Sequence, residues 1–421
     1  MYFCRKSNYM KKTLSLIIIA CTTMFGTLRA QDPVNIENIL SQINADSLLR
    51  TVMDLQNFGS RFAIPYGSIS DGNRDVADYV SQRLEEYGIT TSIDSFYKEG
   101  TAVYMWASQW FYNVKGVLLS STPIDDSLVV VGAHLDAIAL SNYGAFEIAP
   151  GADDNASGVA VMIELARICH ANNLQFRRNI HFMAYDAEEF GLWGSDHDAQ
   201  ARNEVGEKIA LMMNNDMVSY QPDDNWRIQF RWYDNAVDVV NRASSICEQY
   251  TNLTPYVAPE AENWELATRS DSYSYYRAGY RAIFAHEYTF STSYHTDHDL
   301  ADSNNYPYLA EVTRYNMAML TAFANPTSGV GVNEYPAALV AHVYPNPVAN
   351  TLTVQYQLDK ESPVSITVLD LTGRTVLSQP EALQSAGINH TSLDFTSLPI
   401  GMYLCQIRTA KGVETIKVVR Q

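Results

Sequence analysis

The sequence predicts a three-layer α/β sandwich with a mixed, mostly parallel central sheet, followed by a small Ig-like β-sandwich. Short apolar runs such as Leu128–Gly132 and Asn179–Tyr185 alternate with longer segments of helical period, as expected when central strands are covered by helices on both faces. Acidic residues and histidines come directly after several of those runs, at the carboxyl ends of strands, where open α/β sheets hold their ligands. Beyond about residue 341 the helical texture gives way to short alternating strands separated by turn signals.

The 421 residues suffice for a large core and a second module. Residues 1–30 read as a signal peptide: Arg5, Lys6, Lys11 and Lys12 precede the apolar run Leu14–Ala20, and small Ala30 precedes a cut at Gln31. Lipid attachment at Cys21 is the alternative. The main domain is expected over 31–325. Helices are predicted over Asp46–Phe58, Gly72–Gly88, Val159–Ala171, Val237–Gln249 and Tyr308–Ala324 from apolar residues recurring every three or four positions. Strands are predicted over Thr90–Tyr97, Val103–Trp106, Asn113–Leu119, Leu128–Gly132, Asn179–Tyr185, Lys208–Met213 and Ala282–Ala285. A linker over 326–341 leads to the second module, 342–421, with strands at Thr351–Gln357, Ser365–Asp370, Met402–Arg408 and Glu414–Val419.

Removing residues 1–30 leaves 24 basic against 47 acidic residues, a net charge of −23, while 340–421 is neutral with six of each sign. The acidic surplus therefore lies in the main domain. Such a field disfavours nucleic acid and anionic membranes and favours cations. No segment after the signal reaches the roughly 18 apolar residues of a membrane span. Cys169, Cys247 and Cys405 show no zinc-knuckle spacing, and whether Cys169 and Cys247 pair is open.

The chemistry centres on Asn179–Ser195, NIHFMAYDAEEFGLWGS, a buried strand that runs into Glu188 and Glu189 before Gly191 and Gly194. Two adjacent acids at the end of a buried strand need partners, because an unpaired buried charge is costly. Alone, the pair would read as a solvated turn. Yet His134, Asp154, Asp216 and His295 also come after predicted strands or lie in the loops leaving them, so all can converge with Glu189 on one rim. Two imidazoles and three carboxylates without a thiolate suit zinc or another divalent transition metal. Five ligands exceed one catalytic zinc but fit two ions roughly 3.5–4 Å apart with a bridging carboxylate. Asp136, two residues after His134, can accept the far ring N–H of that histidine.

HLD at 134–136, GADDNASG at 151–158, AEEFGLWGS at 187–195, NNDM at 214–217 and YHT at 294–296 together resemble the signatures of the bacterial di-zinc leucyl-aminopeptidase family. That family shares a superfamily with glutaminyl cyclases and glutamate carboxypeptidases. The likeness spans Asn35–Phe323 and includes Gly59-Ser60-Arg61. It implies two Zn2+ ions bridged by Asp154, one completed by Glu189 and His295 and the other by His134 and Asp216, with Glu188 as general base. The implied activity is removal of N-terminal residues from a peptide substrate, by a monomer. A cyclase-like transferase or a carboxypeptidase is the alternative, the latter requiring a fixed cation such as Arg269. The chain departs from the family at Ser270-Asp271-Ser272 and at His295-Thr296-Asp297-His298-Asp299-Leu300, so substrate-side contacts are not implied there. Trp193, Trp226, Trp264, Tyr273, Tyr275 and Tyr276 can line a pocket or fill the core.

Pro345-Asn346-Pro347, Gly373-Arg374, Leu398–Tyr403 and Thr415–Arg420 resemble the sorting domain of type IX secretion cargo. This implies passage through the periplasm to the cell surface or medium, with the type IX secretion machinery as partner. An accessory Ig-like module is the bland alternative.

Overall fold

The computed structural model describes residues 36–64, 73–100, 108–140, 148–327, 341–358, 360–370, 374–409 and 412–421. The expected signal peptide, the Val103–Trp106 strand, the start of the Gly72–Gly88 helix, the turn at 371–373 and residues 328–340 of the linker lie outside them.

Helices α1 (Ile36–Leu40), α2 (Ala45–Gln56) and α3 (Arg74–Glu85) precede strands β1 (Thr90–Lys98), β2 (Gln109–Leu118) and β3 (Ser127–His134). Then come α4 (Ala156–Ala171), β4 (Asn179–Tyr185), α5 (Trp193–Glu204), β5 (Lys208–Asn215), β6 (Arg227–Trp232), α6 (Val237–Tyr250) and β7 (Thr254–Val257). Helices α7 (Glu260–Ala267) and α8 (Ser272–Arg277), strand β8 (Ala282–Glu287) and helix α9 (Tyr306–Ala324) complete the domain.

The eight strands form one sheet in the order β1-β2-β4-β3-β5-β8-β6-β7. β3 pairs in parallel with β4 and β5, and β5 with β8, so the four central strands end at one edge. The outer pairings β1–β2, β2–β4 and β6–β8 are antiparallel. The expected mixed, mostly parallel centre is therefore present.

Alternation along the strands divides the core into two layers. Val129, Val131 and Ala133 of β3 join the core formed with α2, α4, α6 and α9, whereas Leu128 and Val130 face Ala199, Ala267 and Tyr275 from α5, α7 and α8. α4 is buried along nearly its whole length because it lies against the sheet, and the Asn155 side chain caps it by accepting from the Gly158 amide at 2.9 Å. It begins three residues before the expected Val159.

Helices α1, α5, α7 and α8 and strands β6 and β7 escaped the sequence reading. α5 shows why: it buries Gly194, Ser195, Asp198, Ala199 and Arg202, a mostly polar face without apolar period. Its Arg202 Nε donates to Asp198 at 2.6 Å, and Tyr275 donates to the same carboxylate. Tertiary ion pairing takes the place of an apolar stripe.

The C-terminal module has an antiparallel sheet of β9 (Ala341–Tyr344), β10 (Thr351–Leu358) and β13 (Gly387–Asp394). A second sheet, also antiparallel, holds β11 (Ser362–Leu369), β12 (Thr375–Gln384), β14 (Gly401–Thr409) and β15 (Gly412–Arg420). Strands β9, β12 and β13 were not foreseen; β12 is largely exposed and carries Pro380, so it lacks the alternation of a half-buried strand. Val354, Tyr356, Ile366, Val368, Phe395, Cys405 and Ile407 belong to a core of its own, which among the described residues includes none before 341.

Gly194 marks the tightest joint of α5 with the sheet. A Cβ there would lie 2.4 Å from the Asn113 Oδ1 and the Asp186 carbonyl and 2.8 Å from the Asp186 amide. A Cβ at Gly116 would instead meet the methyl ends of Ile89 and Leu84, both at 2.9 Å. Because backbone cannot yield as a methyl can, Gly194→Ala is expected to lose at least about 1–3 kcal/mol, the usual scale of overpacking. Gly116→Ala should lose less. Urea denaturation midpoints of the two variants check the order.

Candidate metal centre

The parallel strand ends deliver the chemistry to one edge. β3 terminates on His134, with Asp136 two residues on; β4 leads through Asp186 into Glu188 and Glu189; Asp216 comes directly after β5. Asp154 lies in the loop entering α4, and His295 in the loop between β8 and α9. Ala187, Met217 and His295 have φ of 58°, 54° and 55°. Each left-handed non-glycine residue costs on the order of 1–3 kcal/mol, a cost concentrated at functional sites.

Asp154 joins the two halves of the cluster. Its Oδ1 lies 3.1 Å from Nε2 of His134 and its Oδ2 3.1 Å from Nε2 of His295. Asp216 Oδ1 is 3.2 Å from the same His134 nitrogen, and Glu189 Oε2 is 3.0 Å from His295 Nε2. Two groups with converging ligand atoms result: His134, Asp154 and Asp216, and Asp154, Glu189 and His295. All five residues singled out in the sequence are brought together.

The supporting contacts are specific. Nδ1 of His134 lies 3.1 Å from the Asp136 carbonyl and 3.4 Å from its Oδ1, both acceptors, which orients the ring so that Nε2 faces the cluster. The same Asp136 carboxylate accepts from the Glu188 and Glu189 amides at 3.1 and 3.2 Å. Ser270 donates to Asp216 Oδ2 at 2.6 Å and accepts from Asn214 Nδ2 at 2.6 Å. Asp299 accepts from the Asp153 and Asp154 amides at 2.9 and 3.0 Å. Arg61, fully buried, donates to the carbonyls of Leu135 at 2.9 Å, Gly151 at 2.7 Å and Pro150. Ser270 and Asp299, in the two stretches where Ser272 and Leu300 depart from the resembled family, thus sit behind the candidate ligands. The sequence signal for Asp299 was its place four residues after His295; for Arg61 it was Gly59-Ser60-Arg61.

Electrostatics show what the cluster accommodates. Burial raises Glu188 well above the ordinary carboxyl range; Glu189, Asp216 and Asp271 add to this and His134 opposes it. Burial, with added repulsion from Asp154, pushes Glu189 up to about 8. Burial disfavours charge on His134, yet Asp216, Glu188, Asp136 and Asp154 raise it well above the usual imidazole range. His295 rises to about 10 against burial, through Asp154 and Glu189. Ligand atoms of two imidazoles and three carboxylates therefore converge in a buried space, and the surplus negative charge is held there by protons on the imidazoles or by metal cations in their place. Glu189 Oε1 is buried without a hydrogen-bond partner. The donor set, oxygen and imidazole nitrogen with no thiolate, fits zinc.

The aromatic residues proposed for a pocket mostly serve the core. Tyr275 is fully buried and hydrogen-bonded to Tyr185 at 2.7 Å; Trp264, Tyr273 and Tyr276 pack beside it. Trp193 stacks edge-on against Phe111, and Trp226 against Tyr308. Arg269 is exposed. Cys169 and Cys247 are both free, buried thiols.

Residues 113–320 match the family described as peptidase family M28, and residues 342–421 match the secretion system C-terminal sorting domain. A probable leucine aminopeptidase of Arthroderma otae is 25% identical over 285 residues, covering 66% of this chain and 72% of that one. A probable zinc metalloprotease of Pyrenophora tritici-repentis is 26% identical over 195 residues, 44% of this chain; the match spans only 39% of that relative's length. The LapA aminopeptidase of Legionella pneumophila superposes with a TM-score of 0.57 at 25% identity, covering 70% of this chain and 75% of the other. The ligand-bearing strand ends fall inside the segment that matches peptidase family M28, and the segment that matches the secretion system C-terminal sorting domain follows it.

Proposed function

We propose that this chain is an exported zinc aminopeptidase holding two zinc ions. The observation that carries this reading is the shared Asp154, whose two oxygens each face the Nε2 of a different histidine at 3.1 Å. His134 and Asp216 would hold one ion, Glu189 and His295 the other, and Asp154 both. Bound there, the ions supply Lewis acidity, which acidifies a water and polarises the scissile carbonyl.

The protein's own groups do the rest. Asp136 orients His134 and anchors the amides of the Glu188–Glu189 turn. Glu188 belongs to neither ligand group. It takes the proton of the attacking water and returns it to the leaving amine, a role worth about 10²–10⁴ in rate. Burial makes it a stronger base, and neighbouring positive charge favours its ionised form. The acidic surplus of the main domain draws the free amine of a peptide.

A carboxypeptidase would need a free cation beside the cluster. Arg269, the residue named for that role, is exposed, and Arg61 is buried with its donors on three carbonyls, so neither favours that reading. A glutaminyl cyclase would release ammonia from an N-terminal glutamine. Assaying release of an amino-acid amide, a C-terminal residue and ammonia, each with and without chelator, separates the three. Residues 1–30 and the sorting domain support export through the periplasm to the surface or medium by the type IX machinery. Among the described residues no helix is long and apolar enough to cross a membrane.

The mature chain is expected to carry about two zinc ions per molecule by elemental analysis and to lose activity to a chelator. One ion or none in fully active protein would remove the two-ion reading.

Glu188→Gln keeps the side chain's size and should retain metal while turnover falls about 10²–10⁴-fold, because an amide cannot accept the proton. Glu189→Ala should lose zinc and activity together, with partial recovery in added zinc. Metal content and kcat, measured on the same samples, check both; wild-type turnover by Glu188→Gln removes the general-base assignment.

Ending the chain at Val340 should leave a folded, active peptidase, since among the described residues the C-terminal core contains none before 341. In the native host it should stay in the periplasm. Fractionation checks this, and export equal to the full chain's would contradict the sorting role.

A further inference from the structure

The loop that presents Asp154 is braced from both sides by residues distant in sequence. On one side, the Arg61 guanidinium donates to the Pro150 and Gly151 carbonyls, and its amide to the Ala149 carbonyl at 3.2 Å. On the other side stands Asp299. Its carbonyl accepts from the Ala152 amide at 3.0 Å, and its carboxylate accepts from the Asp153 and Asp154 amides at 2.9 and 3.0 Å, one to each oxygen. Three consecutive amides of the loop thus end on one residue, which is itself buried. Charge-assisted bonds of this kind are roughly twice as strong as neutral ones and fix geometry.

Asp299 lies four residues beyond His295 in the same loop, which the Leu140 amide also holds by donating to the His295 carbonyl at 2.9 Å. It therefore ties the backbone of the shared ligand to the loop bearing His295. The other members of the cluster have different supports: Asp136 for His134 and the Glu188–Glu189 amides, and Ser270 for Asp216. We propose that Asp299 is a positioning residue that couples Asp154 to His295, so that the Asp154–Glu189–His295 metal position depends on it more than the His134–Asp154–Asp216 position does. The inference rests on the two-ion reading above. Its consequence is that the two positions can be weakened separately.

The test compares full-length mature wild type, Asp299→Asn and Ser270→Ala. An asparagine in place of Asp299 keeps the shape but offers one acceptor oxygen, and its NH2 faces an N–H donor. Zinc is counted at graded concentrations of a weak chelator, Co2+ absorption is recorded as each variant is loaded, and amide hydrogen exchange is measured at 152–154 and 295–299. Asp299→Asn is expected to speed exchange in both segments and to weaken one zinc about 10–100-fold, the range for losing a ligand's supporting contact, while the second stays near wild type. Ser270→Ala should weaken the other position, giving a different residual Co2+ spectrum. Equal weakening of both ions by Asp299→Asn, or the same residual spectrum in both variants, overturns the proposal. So does unchanged exchange at 152–154. A wild type that binds a single ion would sink the two-ion reading instead, and faster exchange in Asp299→Asn would then still support the coupling of the two loops.

Discussion

The crowding of carboxylates at one end of the sheet is the constraint on which the rest of the structure depends. Asp136, Asp154, Glu188, Asp216 and Asp271 are all buried there, and the Glu189 side chain is 6% exposed. Each would be expensive to ionise in isolation, since a charge removed from water needs a partner. The protein supplies fixed partners to only some of them. Backbone amides of the Glu188–Glu189 turn satisfy Asp136, and Ser270 satisfies one oxygen of Asp216. Both Asp154 oxygens, Asp216 Oδ1 and Glu189 Oε2 face the two imidazoles instead, and that remainder is what a divalent cation would complete.

Holding such a cluster requires a frame that does not relax. Parallel strands provide it, because β4, β3, β5 and β8 end side by side and their hydrogen-bond ladders fix the spacing of the loops that leave them. The helices on both faces keep the strands in place through two separate layers of apolar contacts. The local strain at Ala187, Met217 and His295 is tolerable only in such an over-determined setting. Buried polar braces then finish the task that apolar packing cannot do, since dispersion is not directional. Arg61 illustrates the balance: burial lowers its pKa to about 10 while Asp299, Asp136, Asp154 and Glu189 oppose the shift, so it remains a cation at neutral pH.

The C-terminal module obeys different rules. Its two antiparallel sheets close over a small core of alternating residues, Leu352, Val354 and Tyr356 on β10 facing inward with Val364, Ile366 and Val368 on β11. Period-two burial of this kind is self-contained, which suits a separate module such as the sorting domain that these residues match.

Much of this was legible in the sequence, and the physical reason is periodicity. The central strands are uninterrupted apolar runs because both faces are covered, and the long helices carry apolar residues at helical spacing, so β3, β4, α2 and α9 could be located from residues alone. The candidate metal ligands were legible because most sit just past such a run, and a strand's end fixes where the next side chain emerges. Elements built on polar contacts were not legible: α5 buries Asp198 and Arg202 against each other and against Tyr275, a pairing with no local signature. The supports of the ligands were equally hidden. Nothing near Asp299 in the sequence reveals that its carboxylate holds the amides of Asp153 and Asp154, and nothing near Arg61 reveals the carbonyls it caps. Composition and spacing determined which residues could bind a metal, because ligand chemistry belongs to the side chain. Only the tertiary structure decided which oxygen faces which imidazole and what holds it there, because those contacts join segments up to 146 residues apart that meet only when the sheet and its helices have closed.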